Sequence, residues 1–198
     1  MTKFVLSSGA IKGTPNFKKF VDDIFKDSGD RPKVLLCFFA EPREDWEDKF
    51  AIFSGLIKKD IDNKISPEFS LASQENFVQE IADADIVYFY GGDFEMLKHR
   101  LKQYNLRKLL QDKVVAGSSS GFVIFVKTFF DSDYRKVNYG LDFISIKTLP
   151  HFGEKITDPV RGGLNWQEAE EKLKNAEPKD LEITKIKAGE YKIFEVHL

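Results

Sequence analysis

The segment Lys113-Val114-Val115-Ala116-Gly117-Ser118-Ser119-Ser120-Gly121-Phe122 has the residue types and spacing of an acyl-transfer nucleophile. An apolar run breaks into a Gly/Ser turn with Ser119 at its apex, then opens an apolar stretch. The spacing Gly117-x-Ser119-x-Gly121 suits a nucleophile elbow, where the turn strains the backbone at the serine and a flanking side chain would strike neighbouring backbone. A Gly/Ser cluster between apolar runs is also an ordinary loop signal, so the spacing alone does not decide. A neutral serine needs a base, and the chain holds three histidines. His99 lies in the charged helical stretch Lys98-His99-Arg100, and His197 is penultimate, where chains fray. His151, in Leu149-Pro150-His151-Phe152-Gly153, follows an expected strand and would reach the sheet edge where Ser119 emerges. The negative charge that develops on an acyl oxygen needs N–H donors. The amides of Ser120 and of Gly92, in Tyr90-Gly91-Gly92-Asp93, are the candidates, although a glycine pair also makes a tight structural turn. Cys37 sits inside the apolar run Val34–Phe39 and reads as a small core residue rather than a nucleophile.

These residues need a scaffold, and the hydrophobic pattern outlines one. Apolar runs at Phe4–Ser7, Lys33–Ala40, Phe69–Ala72, Asp85–Tyr90 and Val114–Ala116 alternate with segments of helical spacing. Those segments carry Phe17, Phe20, Val21 and Ile24; then Trp46, Phe50, Phe53 and Ile57; then Phe77, Val78 and Ile81; then Phe94, Leu97 and Leu101. Runs that are apolar throughout belong to strands covered on both faces, and helical connections make the sheet parallel. The expected class is α/β, a single-domain three-layer sandwich over residues 1–198 with a mostly parallel, doubly wound sheet. Further along, Phe122–Phe130 reads as an apolar helix, Leu141–Ile146 as a strand, Thr157–Asn165 as a surface loop and Leu164–Lys174 as an amphipathic helix. Leu181–Val196, broken at Ala188-Gly189, reads as a C-terminal β-hairpin. Ligands of such sheets lie beyond the carboxyl ends of the strands, so the loops after Tyr90 and Ala116 should share a crevice.

Composition narrows the function. Thirty basic and 32 acidic residues leave a formal charge of -2, no basic field for nucleic acid or an anionic membrane surface. The N-terminus lacks a long apolar segment and no stretch is long enough to cross a bilayer. A lone cysteine fits a reducing compartment. The expectation is therefore a cytoplasmic protein, monomer or homodimer, acting on a small peptide without metal or cofactor. Nineteen phenylalanines point to a core built on that side chain.

Three blocks in one order, Ile86-Val87-Tyr88-Phe89-Tyr90-Gly91-Gly92-Asp93, Gly117-Ser118-Ser119-Ser120-Gly121, and Gly140-Leu141-Asp142-Phe143 leading to Pro150-His151-Phe152, resemble the dipeptidase E and cyanophycinase family of serine peptidases. That resemblance implies a class I glutamine amidotransferase-like fold and a Ser-His-Glu triad. It makes Ser119 the nucleophile, His151 the general base, and the Gly92 and Ser120 amides the oxyanion donors. It further implies hydrolysis of short peptides, including dipeptides with an N-terminal acidic residue, through an acyl-enzyme on Ser119. The chain departs from the family pattern at Asp93, where Asn is usual, and at Ser120, where Ala is usual. The family's glutamate precedes a glycine near the C-terminus, whereas here Ala188 precedes Gly189 and Glu190 follows it. Glu190 is the expected third member, with Asp133, Glu154 and Glu182 as rivals. Arg161 is the expected anchor for an acidic substrate, and Asp93 lies beside the substrate. A catalytically silent binding or regulatory member of the same fold is the alternative, and an ammonia-transferring domain would carry a cysteine at the elbow.

Overall fold

The apolar runs form strands covered on both faces. The computed structural model describes residues 1–160 and 162–198. In it β1 (Thr2–Ser7), β2 (Lys33–Cys37), β3 (Glu68–Leu71), β4 (Ile86–Phe89) and β5 (Val114–Ser118) lie parallel in the order β1-β5-β4-β2-β3. The connecting helices are α1 (Pro15–Phe25), α2 (Trp46–Asp60), α3 (Phe77–Asp83), α4 (Phe94–Leu101) and the short α5 (Leu106–Leu109). Because βαβ crossovers are right-handed, α1 and α2 cover one face as the chain steps outward to β3, and α3 to α5 cover the other as it steps back. Val5, Leu35, Val87 and Val115 in the middle of the strands are fully buried. The core is rich in phenylalanine, as expected: Phe4, Phe89 and Phe143 surround Phe125 with ring centroids 5.0 to 5.4 Å from it.

Beyond Ser119 a short helix α6 (Ser120–Val123) leads into a second sheet made of β6 (Val126–Asp131), β7 (Lys136–Tyr139) and β8 (Ile144–Leu149). A two-strand pair, β9 (Thr157–Asp158) with β10 (Gly162–Gly163), and helix α7 (Trp166–Asn175) follow. The chain then returns as β11 (Ile183–Lys185), parallel on β8, and β12 (Tyr191–Val196), antiparallel on β1. The second sheet shares the main core through Phe129, Phe143, Ile144 and Ile186, and has a smaller cluster of Phe130, Leu149, Ala169 and Leu173 under α7. No helix of the described residues is long and apolar enough to cross a membrane.

The fold class expected from the sequence holds, and four local readings need correction. Phe122–Phe130 is not one helix: the helix ends at Val123, Ile124 and Phe125 turn, and the rest is β6, because a segment apolar on every side carries no periodicity and its β-branched Val126 and Thr128 favour a strand. The strand expected at Leu141–Ile146 starts only at Ile144, since Asp142 takes a left-handed turn with φ 55°. The two C-terminal strands do not pair with each other as a hairpin. β11 extends the second sheet and β12 closes the first, so the turn at Ala188-Gly189 passes between sheets. Part of the loop expected at Thr157–Asn165 pairs as β9 and β10.

Candidate active site

The elbow is built by backbone packing. Ser119 has φ 53° and ψ -118°, a conformation that L side chains rarely adopt and that persists only where neighbours impose it. Its N–H donates to the Ser7 carbonyl at 3.0 Å, and its own carbonyl accepts the N–H groups of Phe122 and Val123, which starts α6 directly at the serine. A Cβ at Gly121 would lie 2.0 Å from the Phe89 carbonyl oxygen, and one at Gly117 would lie 2.2 Å from the Gly121 oxygen. The two glycines flanking Ser119 are thus fixed by the contact of α6 with β4 and β5. β1 and β5 are in register at Ser7 and Ser118, so Ser8 and Gly9 come up beside Ser119, while Gly91 approaches from β4. A Cβ on Gly91 would be 3.0 Å from that of Ser119.

His151 reaches the same place from the second sheet, two residues past β8. Its backbone N–H donates to the hydroxyl of buried Ser8 at 2.6 Å, tying the two sheets together at the site. The Glu154 N–H donates to the His151 carbonyl at 3.0 Å, closing a tight turn. Gly153, φ 83°, takes the third position, where a type II turn needs a left-handed residue. This turn folds the Glu154 carboxylate back onto the imidazole, with Oε2 3.2 Å from Nδ1. Trp166 Nε1 donates to the Glu154 carbonyl, and its ring packs edge-on against Phe152. With Nδ1 facing Glu154, Nε2 is the nitrogen left for Ser119. A Cβ at Gly9 would lie 2.7 Å from Cε1 of His151 and 3.4 Å from both its Nε2 and the Ser119 Cβ. Gly9, φ 101°, therefore leaves open the space between the Ser119 Cβ and the imidazole.

A cavity of about 350 Å³ opens in front of the pair, and Gly92, Asp93, Ser119, Ser120 and His151 all line it. Among the described residues the amides of Gly92 and Ser120 donate to no other group. Asp93 caps α4, its Oδ1 accepting the Met96 N–H at 2.7 Å, which turns that oxygen toward the helix. The Ser120 hydroxyl is buried and, among the described residues, has no hydrogen-bond partner.

Glu190 is not on the histidine. Its backbone carbonyl accepts from the Ser8 amide and the Ser7 hydroxyl, close to the site, but its carboxylate accepts the Lys187 N–H at 3.0 Å and faces a separate surface hollow with Asn16 and Tyr191. Of its rivals, Asp133 lines the same cavity and Glu182 lies on β11's approach, its carbonyl bound by the Lys147 amide. Arg161 lies outside the described residues. Cys37 is fully buried, which pushes its thiol pKa up and makes it unreactive. In the sequence Ser8 and Gly9 carry only a turn signal directly after an apolar run, which does not by itself mark them as site residues. The turn His151-Phe152-Gly153-Glu154 was likewise legible, because glycine at its third position sets histidine and glutamate face to face.

A parallel sheet that ends one strand in a strained serine, with a histidine lining the same cavity, defines a class of α/β proteins built around a serine elbow. The model of peptidase family S51 matches residues 4–189. The chain belongs to peptidase family S51, and with it to the serine peptidases. Its fold is similar to that of a peptidase from an acI-B1 Actinobacterium, at 18% identity and a TM-score of 0.67 over 98% of this chain and 83% of that one. It is also similar to a candidate peptidase E protein from Listeria monocytogenes EGD-e, at 16% identity and a TM-score of 0.60 over the full length of both. No curated protein matches the sequence.

Proposed function

We propose that the protein hydrolyses short peptides through an acyl-enzyme on Ser119. His151 Nε2 takes the hydroxyl proton as Oγ attacks the carbonyl carbon, and returns it to the leaving amine. Water then repeats the sequence on the acyl-enzyme. The free amides of Gly92 and Ser120 receive the oxyanion. Glu154 takes the place expected for Glu190. With its Oε2 3.2 Å from Nδ1 it favours the tautomer whose Nε2 can receive a proton, so it is a positioning residue. The observation that carries this reading is the unfilled Gly9 position, equidistant from the Ser119 Cβ and His151 Nε2.

Hydrolysis of a panel of unblocked dipeptides tests it. Ser119→Ala should lose turnover by about 10⁴-fold or more with its thermal transition unchanged; hydrolysis at the wild-type rate would reject Ser119. The finer expectation, an acidic first residue held by Arg161, draws no support from the described lining, which holds Asp93, Asp131 and Asp133 and neither lysine nor arginine.

A further inference from the structure

Helix α2 (Trp46–Asp60) buries Trp46, Phe53, Ser54 and Ile57 against the molecule and turns Asp48, Ile52, Gly55 and Lys59 to solvent. At about 100° per residue these four fall within about 60° of one another, so they form one stripe along the helix. Each is unaccounted for by contacts within this chain. Ile52 is 65% exposed. A Cβ at Gly55 would meet nothing within 4 Å, so no internal contact calls for a glycine in the middle of a helix, where it is costly against alanine. The side chains of Asp48 and Lys59 form no hydrogen bond or ion pair among the described residues. The charges around them are engaged: Arg43 pairs with Glu47 at 2.7 Å, Lys49 with Glu41 and Asp45 at 3.2 and 3.7 Å, and Lys58 lies over the Phe69 ring. Asp48 and Lys59 lie roughly 16 Å apart along the axis at about 1.5 Å per residue, too far to meet each other.

The stripe is complementary to itself. The midpoint of Asp48 and Lys59 is also the midpoint of Ile52 and Gly55, between Phe53 and Ser54. Two copies of α2 laid antiparallel about a two-fold axis at that point bring each Asp48 onto the partner's Lys59 and each Ile52 onto the partner's Gly55, where the missing side chain makes room. The same arrangement opposes the two helix dipoles and lays the acidic first turn of one helix, with Glu47 and Asp48, beside the basic last turn of the other, with Lys58 and Lys59. A helix dipole alone accounts for acids at the start and bases at the end, but not for an exposed isoleucine and an open glycine at their common centre.

We infer that α2 is the contact face of a homodimer, two copies packing antiparallel about that axis, with Ile52 over Gly55 as the apolar centre and two Asp48–Lys59 ion pairs as the rim. No residue of α2 lines the cavity in front of Ser119, so the pairing leaves that cavity open and the inference stands apart from the proposed hydrolysis.

Sedimentation equilibrium over a range of protein concentrations reads the monomer–dimer constant. The wild type should dimerise. Ile52→Arg, at a position already exposed, should weaken the dimer about tenfold or more, as for a central anchor. Asp48→Lys and Lys59→Glu should each weaken it about fivefold by setting like charges together. An equimolar mixture of those two variants should associate more tightly than either alone, because the mixed pair restores both contacts; this recovery decides by itself should Ile52→Arg not fold. A wild type that stays monomeric at every concentration, a dimer unweakened by Ile52→Arg, or a mixture no tighter than its components overturns the inference.

Discussion

The serine elbow and the histidine loop face one cavity but are held in different ways. Ser119 is locked by main-chain packing: Gly117 and Gly121 press against each other and against β4, inside a sheet whose central residues are fully buried. His151 sits at the rim of the smaller sheet with its side chain 22% exposed, and is located by individual hydrogen bonds to Ser8 and Glu154 and by Trp166 behind the turn. Ser119 should therefore tolerate almost no change of shape, while His151 should respond in graded steps as single polar contacts are removed.

Gly121→Ala should test the rigid side most severely. Its Cβ would lie 2.0 Å from a backbone oxygen that cannot rotate away, so urea denaturation should show a loss of at least about 3 kcal/mol, the upper end for overpacking; stability within about 0.5 kcal/mol of wild type would mean that the elbow is loosely packed. Gly9→Ala acts where the regions meet. It places a methyl against the imidazole at a left-handed φ, and kcat should fall about 100-fold, the size of loss that a misplacement of about 1 Å can bring, with KM nearly unchanged; kcat within threefold would contradict the meeting point. On the histidine side, Glu154→Gln should lower kcat roughly tenfold at constant KM, as for outer partners of a working imidazole, whereas Glu190→Gln should stay within about twofold. The opposite ranking would return the role to Glu190. Trp166→Phe, which keeps the ring contact and removes one hydrogen bond to Glu154, should cost about 1 kcal/mol of stability in the same urea assay, and no loss would show that the turn holds itself.

The same contrast explains what the sequence disclosed. The elbow is local: glycine, serine and glycine within five residues after an apolar run state both the strain and the close packing, so Ser119 and the parallel sheet were readable. His151 emerged by elimination among three histidines, since nothing around it states that β8 ends beside β1. The carboxylate partner was harder, because Glu190 is near the site in backbone position and only the direction of its side chain, onto the Lys187 amide, separates it from the imidazole. Glu154 is one of several carboxylates in the sequence, and what selects it is the turn at Gly153. The strand pairing of the C-terminus is non-local for the same reason: β11 and β12 adjoin in sequence, but their partners are β8 and β1.

Fluorophosphonate labelling of the intact protein, with the modified residue located by mass spectrometry and the rate compared between wild type and His151→Ala, tests the pairing of hydroxyl and imidazole most directly. The geometry predicts a single adduct on Ser119 in the wild type and a labelling rate lower by about 10³-fold or more in the variant. An adduct elsewhere, or equal rates in the two proteins, would contradict it.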